Sequence, residues 1–529
     1  MMSTSQIDVA RQTFVILLPE ILLLLTATVM MTAGAIVRLP RRVWCAVSVV
    51  ALGAALVALL GTRHHVTDLY TAVALNDAFS AYGRLILVLS GVVVLAIAHD
   101  QVDDARAAEF FGSLLMIDAG AMLVAASNEL VFLFVGLELV SIPTYLLLYL
   151  PRRNATTQEA ATKYFFLSIF SSGLLLFGLA YLYGLTGVSN LKALAYLANH
   201  LSGGLQPQLA LVAVVFVTAG LGFRVAAVPF HFYAPDVYQG SPTVLAAMLS
   251  WVPKAIGFMA MLRTVTAVVS AGTGNGPVGH QAVLLAWIIA VATMTLGNTV
   301  ALGQDNLKRL LAYSSIAHAG YLMVGVAVAF QNVPGPDVSY YGAEGILFYL
   351  TAYALMTLGA FAVIVMLSAP GRPVETVDDL AGLARTRPAT ALAMAIFLFS
   401  LAGIPPLAGF LGKFELFFAA FAASNGPDGR LFWWLAIIGV LNSAVGAYYY
   451  LRIVVAMYLR EPTGEPSLAP AAWPTALAVT ACAVLTLALG LFPGPVIRAT
   501  REAAEAVTGL PEPDLGPEKV AVTRPHADR

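Results

Sequence analysis

Five side chains define the chemistry open to this chain, because each puts an ionisable group inside a long apolar run: Glu138, Arg224, Lys254, His318 and Lys413. A charge at bilayer depth costs roughly 2.5–3.5 kcal/mol on insertion scales, so it ordinarily faces a protein interior or water. Glu138 lies in GLELVSIPTY (136–145), flanked by apolar residues on both sides. An unpaired carboxylate there would take up a proton; a fixed structural ion pair is the other reading. Arg224 and Lys254 flank the polar turn of FRVAAVPFHFYAPDVYQGSP (223–242), with Lys254 in the following WVPKAIGF. A buried lysine can gain and lose a proton, whereas arginine keeps its charge in proteins. Lys254 is therefore a candidate proton carrier and Arg224 a fixed positive field or an ion-pair partner.

His318 lies in LLAYSSIAHAGYLMVG (310–325), where Ser314, Ser315, His318 and Tyr321 at helical spacing would form a polar stripe. Such a stripe serves either as a hydrogen-bonded seam between helices or as a water-lined relay. Lys413 lies in SLAGIPPLAGFLGKFELF (400–417), seven residues after Pro406. Glu415 is two residues further on and does not share its helix face. Three other groups admit two readings each. Lys163, in EAATKYFF, either snorkels to the interface or joins the row. His231 titrates near neutrality or is simply hydrogen-bonded, and Glu20 is an interfacial or assembly residue or else a functional one.

The elements that must position these groups are membrane spans. The chain has 529 residues, 59% of them hydrophobic and 11% charged, too few charges for an ordinary soluble surface. Net charge is −1 and points to neither nucleic acid nor an acidic partner. Apolar stretches of about 20 residues predict an all-α polytopic protein with about fourteen crossings: 13–36, 42–61, 78–98, 108–127, 129–150, 160–186, 208–230, 241–263, 281–302, 309–330, 342–368, 388–422, 431–458 and 472–493. The first is too long for a signal-peptide core and reads as a span that stays. The runs at 342–368 and 388–422 exceed one straight crossing and predict tilt or a break.

Pro229 and the pair Pro405–Pro406 break their runs, since proline removes a backbone donor and crowds the preceding turn. Similar breaks beside lone cations in the two halves point to an internally repeated transporter. Loops after odd-numbered spans hold Arg38, Arg41, Arg42, Arg106, Arg152, Arg153, Lys308, Arg309, Arg372, Arg385, Arg387 and Arg460; those after even-numbered spans hold Arg63, Lys192, Arg263 and Arg430. The bias predicts cytoplasmic odd-numbered loops and both termini external. From about 495 the tail reads as a loose surface segment. Cys45 and Cys482 lie in separate runs and form neither a metal motif nor a disulfide pair. The chain carries no dinucleotide fingerprint, P-loop or iron–sulfur cysteine set.

Those stretches, together with QDNLKRLLAYSSIAHAGYLMVG (304–325) and NSAVGAYYYLR (442–452), resemble the subunit N family of bacterial NADH-quinone oxidoreductase, proton-pumping complex I, from about residue 13 to 460. This family belongs with antiporter-like subunits that also resemble multi-subunit sodium/proton antiporters. Within it, the GLEL form around Glu138 is similar to subunit N, whereas sister subunits usually carry tryptophan before that glutamate.

The resemblance implies two five-helix units of inverted topology, at 108–263 and 281–458, after a three-helix segment at 1–107 and before a last helix and tail at 459–529. It also implies discontinuous seventh and twelfth spans. It casts Glu138 as the fifth-span glutamate, Lys254 as the eighth-span lysine and Lys413 as the twelfth-span lysine, with Arg224 replacing the family's seventh-span lysine. Arginine there would hold Glu138 in a firmer, bidentate pair and act as an electrostatic gate, with Lys254, His318 and Lys413 as carriers. The chain would be part of the enzyme only as a subunit. It would bind no metal or cofactor itself, while NADH, FMN, iron–sulfur clusters and quinone are used on other subunits. Its partners would be other membrane subunits and the lipid of a bacterial plasma membrane, not nucleic acid. A cation/proton antiporter subunit is the alternative, and a transport-inactive spacer a further rival.

Overall fold

Hydrocarbon offers the backbone no hydrogen-bond partner, and an α-helix satisfies its polar groups within one segment. The computed structural model describes residues 4–62, 69–150, 155–200, 206–269, 277–331, 338–368, 373–426, 428–462 and 472–508. Among them are twenty α-helices and no sheet, only three isolated β-bridges. The first three crossings are α1 (Thr4–Ile16) with α2 (Leu18–Ile36), then α3 (Arg41–Gly61) and α4 (Ala78–Ala98). Next come α5 (Ala107–Ala126), α6 (Leu130–Tyr149), α7 (Ala155–Thr186), a short α8 (Leu191–His200), α9 (Pro207–Arg224), α10 (Ala234–Gly240) and α11 (Thr243–Val269). The second half holds α12 (Pro277–Ala301), α13 (Leu307–Ala329), α14 (Val338–Leu367), a one-turn α15 (Leu383–Thr386), α16 (Pro388–Ala402), α17 (Ala408–Ala423) and α18 (Gly429–Leu459). The chain closes with α19 (Trp473–Leu491) and α20 (Gly494–Thr508).

Among the described residues thirteen helical segments are long and apolar enough to cross a membrane, and the split pair α16/α17 supplies a further crossing. The seventh crossing stops at Arg224, passes through a left-handed Ala226 (φ 57°) and resumes as α10 beyond Pro229. The twelfth stops at Ala402, turns at Gly403 (φ +87°) and resumes as α17 beyond Pro406. Of the tilt or break expected for the long run at 342–368, the break does not occur: α14 is one unbroken helix, having no internal proline to interrupt it.

Lipid tails supply little drive for helices to associate, so close approach of backbones matters. A Cβ on Gly178 would meet Val217 N at 2.7 Å, and one on Gly220 would meet Leu175 N at 2.8 Å, which brings α7 against α9. Gly297 and Gly320 do the same for α12 and α13. The result leaves α11 enclosed on all sides and α13 nearly so, the two helices that carry Lys254 and His318.

A cap-and-bridge pattern occurs twice. Glu129 caps α6 through Phe132 N, and Asn306 caps α13 through Arg309 N. Next to the first, Leu130 N donates to Ser189 O and Leu191 N to Asn128 O; next to the second, Leu307 N donates to Glu375 O and Val377 N to Asp305 O. Glu138 and Ser315 each fall nine residues after their cap.

Several odd-loop residues are tied together on one face: Arg41 to Asp100, Arg106 to Leu150 O, Lys308 to Ser241 O, Arg309 to Asp236 and Arg460 to Asp378. Arg63, Arg152, Arg153 and Arg372 lie outside the described residues. Arg263 is not a loop residue: it is buried inside α11, bonded to Asp77 and Ala125 O. The tail also departs from expectation. Residues 494–508 form α20, whose Thr500, Ala503, Ala504 and Val507 are buried at helical spacing, and Arg501 meets the buried Glu344 of α14 at 3.3 Å. The remaining tail, 509–529, lies outside the described residues.

Glu20 has a specific role. Arg84 of α4 donates to both its carboxylate oxygens, at 2.7 and 2.8 Å, and to Ile16 O at 2.7 Å, with the pair fully buried. Arg84→Met strands Glu20 in an apolar site at a cost of about 3–5 kcal/mol. The expected result is loss of assembled subunit from membranes, with Glu20→Leu/Arg84→Met recovering most of it; quantitative blotting of isolated membranes checks both.

Candidate functional site

The break in the seventh crossing places Arg224 in the last turn of α9, where the helix dipole favours a cation. Its Nη2 donates to Glu138 Oε1 of α6 at 2.8 Å and to Ser172 Oγ of α7 at 3.3 Å. Its Nη1 donates to Leu137 O at 3.0 Å and to Ser141 Oγ. Ser172 Oγ also donates to Glu138 Oε1, at 2.5 Å. The pair is therefore monodentate, not the bidentate fork expected of arginine, because four acceptors on two helices divide the guanidinium donors. Arg224 is buried, whereas the Glu138 side chain keeps 23% exposure on the same helix as the exposed Val135 and Ile142.

Lys254 is fully enclosed in α11, and Gly257, nearly one turn on, packs within 3.5 Å of Arg224 Cβ as measured from a Cβ built on that glycine. The Lys254 amine donates to Ser315 Oγ of α13. Ser315 Oγ is also within reach of Tyr353 OH of α14, at 3.0 Å, and Tyr238 OH of α10, at 3.3 Å. One turn along α13, His318 uses both ring nitrogens on tyrosines: Nδ1 on Tyr349 OH and Nε2 on Tyr450 OH at 2.9 Å. Ser314 Oγ shares Tyr450 OH.

Lys413 occupies the twelfth-crossing break from the far side. Where α16 ends, its last carbonyls lack helical donors, and Lys413 Nζ fills the gap, donating to Leu401 O at 2.9 Å and Ala402 O at 3.1 Å. Ser443 Oγ of α18 accepts at 2.9 Å, and the Tyr321 ring lies 5.0 Å away. Gly403 is required here: a Cβ on it would sit 3.1 Å from Lys413 Cδ, in a left-handed backbone that L-residues resist.

Three hydrogen-bonded clusters thus run through the middle of the protein: Glu138 with Arg224, Lys254 with Ser315, and His318 with its tyrosines, ahead of Lys413. Ring contacts fill the intervals. The rings of His318 and Tyr353 are 5.1 Å apart and those of His318 and Tyr321 5.6 Å apart. A proton crosses such intervals through water or by side-chain rotation.

Two candidates fall outside this row. Lys163 binds Asp236 and Glu159 near one end of α7. His231 sits half-exposed in the broken segment beside Phe232, and its Nδ1 has no partner. The reading from sequence missed Ser141, Ser172, Tyr349, Tyr353, Tyr450 and Ser443. The only available signal was hydroxyls at helical spacing, as in Tyr349 and Tyr353. It also missed Asp118, a buried carboxyl in α5 whose Oδ2 lies 2.4 Å from where a Gly91 Cβ would sit.

Residues 127–446 match the family model described as NADH:quinone oxidoreductase/Mrp antiporter, transmembrane. A relative from Trichlorobacter lovleyi, named NADH-quinone oxidoreductase subunit N, is 40% identical over 86% of this chain and 89% of its own. A second of that name, from Granulibacter bethesdensis, is 39% identical over 92% and 98%. Among solved structures, a chain of respiratory complex I from Thermus thermophilus, with bound aureothin, matches at 33% identity. Its TM-score is 0.74 over 92% of this chain and 99% of that one. A chain of the Mrp complex from Dietzia shares the fold, with TM-score 0.79 at 22% identity, covering 97% and 99%.

Proposed function

Because the chain belongs to the NADH:quinone oxidoreductase/Mrp antiporter family, among its subunit N members, we propose that its midplane row carries protons across the membrane. The chain is a proton-translocating membrane subunit of NADH-quinone oxidoreductase, respiratory complex I, and the catalytic label belongs to the whole complex. The observation that carries the site reading is the burial of the Lys254, His318 and Lys413 side chains, each held by hydroxyl or carbonyl oxygens and none by a carboxylate. Such groups change protonation without breaking an ion pair.

In this reading quinone reduction elsewhere in the complex drives changes in charge and hydration along the row. NADH, FMN, iron–sulfur clusters and quinone act on other subunits. The Glu138–Arg224 pair gates the first step; Lys254, His318 and Lys413 pass the proton on. The quarter-exposed Glu138 on an apolar helix face calls for a covering partner, which favours a neighbouring membrane subunit there. The basic odd-loop face is the cytoplasmic one, so both termini are external and protons leave across the plasma membrane. The doubled cap-and-bridge pattern supports two repeated units, 108–263 and 281–458, in which Ser315 takes the place of Glu138.

Glu138→Gln and Lys413→Ala test this reading in vesicles holding the whole complex. Each is expected to lower proton translocation by about tenfold or more, read as acidification on adding NADH. A structural spacer would tolerate both, and full acidification in both variants would overturn the reading.

A further inference from the structure

Lys163 and the PDVYQG segment remain outside the row, yet they meet. Asp236 is the only charged side chain of α10, and it holds two cations from two other helices. Lys163 Nζ of α7 lies 2.6 Å from Asp236 Oδ2, and Arg309 Nη1 of α13 lies 2.6 Å from Oδ1. Glu159 also pairs with Lys163, at 2.6 Å, and Gln239 Oε1 accepts from Arg309 at 2.9 Å. Lys163, Asp236 and Arg309 keep 39%, 31% and 27% side-chain exposure, so the cluster sits at the odd-loop surface.

The inner side of α10 faces the row. Tyr238, two residues after Asp236, is buried with its hydroxyl 3.3 Å from Ser315 Oγ, the acceptor of Lys254. This half-helix has seven residues, and no helical ladder reaches it from α9, because the chain leaves helical geometry between Arg224 and Ala234. So short a helix has no stability of its own and takes its position from its contacts. Beyond Asp236 those contacts are the core packing of its buried Ala234, Val237 and Tyr238 and two bonds at its end: Thr157 Oγ1 donates to Gly240 O at 3.0 Å and Lys308 Nζ to Ser241 O at 2.8 Å.

We propose that Asp236 is a positioning residue whose two ion pairs hold α10 closed over Ser315 and Lys254, so that its release opens Lys254 to the odd-loop solution. The inference rests on Lys254 being a carrier. Partly exposed ion pairs suit a latch, since each shifts a closed/open ratio by no more than about fivefold. That is enough to favour the closed form and little enough to yield during turnover. A fully buried pair such as Glu20–Arg84 would lock instead.

The test uses the whole complex in membranes, with a membrane-impermeant N-hydroxysulfosuccinimide acetate applied to the face carrying Lys163 and Arg309. The reagent acylates the free amine of Lys254, and mass spectrometry of the peptide measures the rate. Asp236→Ala is expected to raise Lys254 acylation about fivefold or more, and Asp236→Glu to return it to the parent rate. Lys163→Ala and Arg309→Ala alone should each raise it less, and together should match Asp236→Ala. Parent-level acylation in assembled Asp236→Ala complex would overturn the latch, as would failure of glutamate to restore closure. Should Asp236→Ala not assemble, the Lys163 and Arg309 variants decide the matter by the same rate. The outcomes separate from those for the row: unchanged acylation alongside a dead Lys413→Ala pump removes the latch alone, while full pumping by both Glu138→Gln and Lys413→Ala removes the row.

Discussion

Arg224→Ala is expected to remove most proton translocation by the complex, and Arg224→Lys to keep most of it. The guanidinium is shared among Glu138, Ser172, Leu137 O and Ser141. Alanine leaves the Glu138 carboxylate with Ser172 alone. Breaking a buried pair by removing one partner costs about 3–5 kcal/mol; with Glu138 23% exposed, the lower end applies. Lysine restores a point charge with three donors. It gives up the arginine's spread over Leu137 O and Ser141, and translocation should stay within about threefold of the parent. Protons moved per NADH oxidised, in sealed vesicles, decide the matter. If the alanine variant matches the parent, the pair is no gate.

The extent to which these features could be read from the residues follows their physics. Both helix breaks were legible because proline acts through its own backbone, whatever surrounds it. The charged members of the row were legible because a lone charge in an apolar run demands an explanation by itself. Their partners were not. Tyr349, Tyr353 and Tyr450 look like ordinary seam residues until the rotation of α14 and α18 about their axes is known. Arg84 and Glu20 are 64 residues apart, and nothing local links them. The helix α20 escaped notice because its buried face is built of Thr500, Ala503, Ala504 and Val507, small residues that give a weak apolar signal. The bidentate geometry assigned to Arg224 failed for a related reason: pair chemistry fixes what two groups prefer, but not how many other acceptors compete.

A contrasting substitution separates a carrier from a fixed charge. Lys254→Arg is expected to lower proton translocation about a hundredfold or more, even though it keeps the positive charge. Arginine at 254 could still donate to Ser315 Oγ, the acceptor Lys254 uses, but it does not release a proton in proteins. The two exchanges thus run in opposite directions: lysine for arginine at 224 is tolerated, and arginine for lysine at 254 is not. Enclosure raises a competing explanation, since Lys254 is 1% exposed and extra volume in a packed site costs about 1–3 kcal/mol. Lys254→Gln answers it, because glutamine adds no bulk and carries no exchangeable charge. If strain alone mattered, glutamine would pump and arginine would not; if proton release matters, both fail while the complex still assembles on native gels. Full translocation with Lys254→Arg would make Lys254 a source of field and leave His318 and Lys413 to carry protons without it.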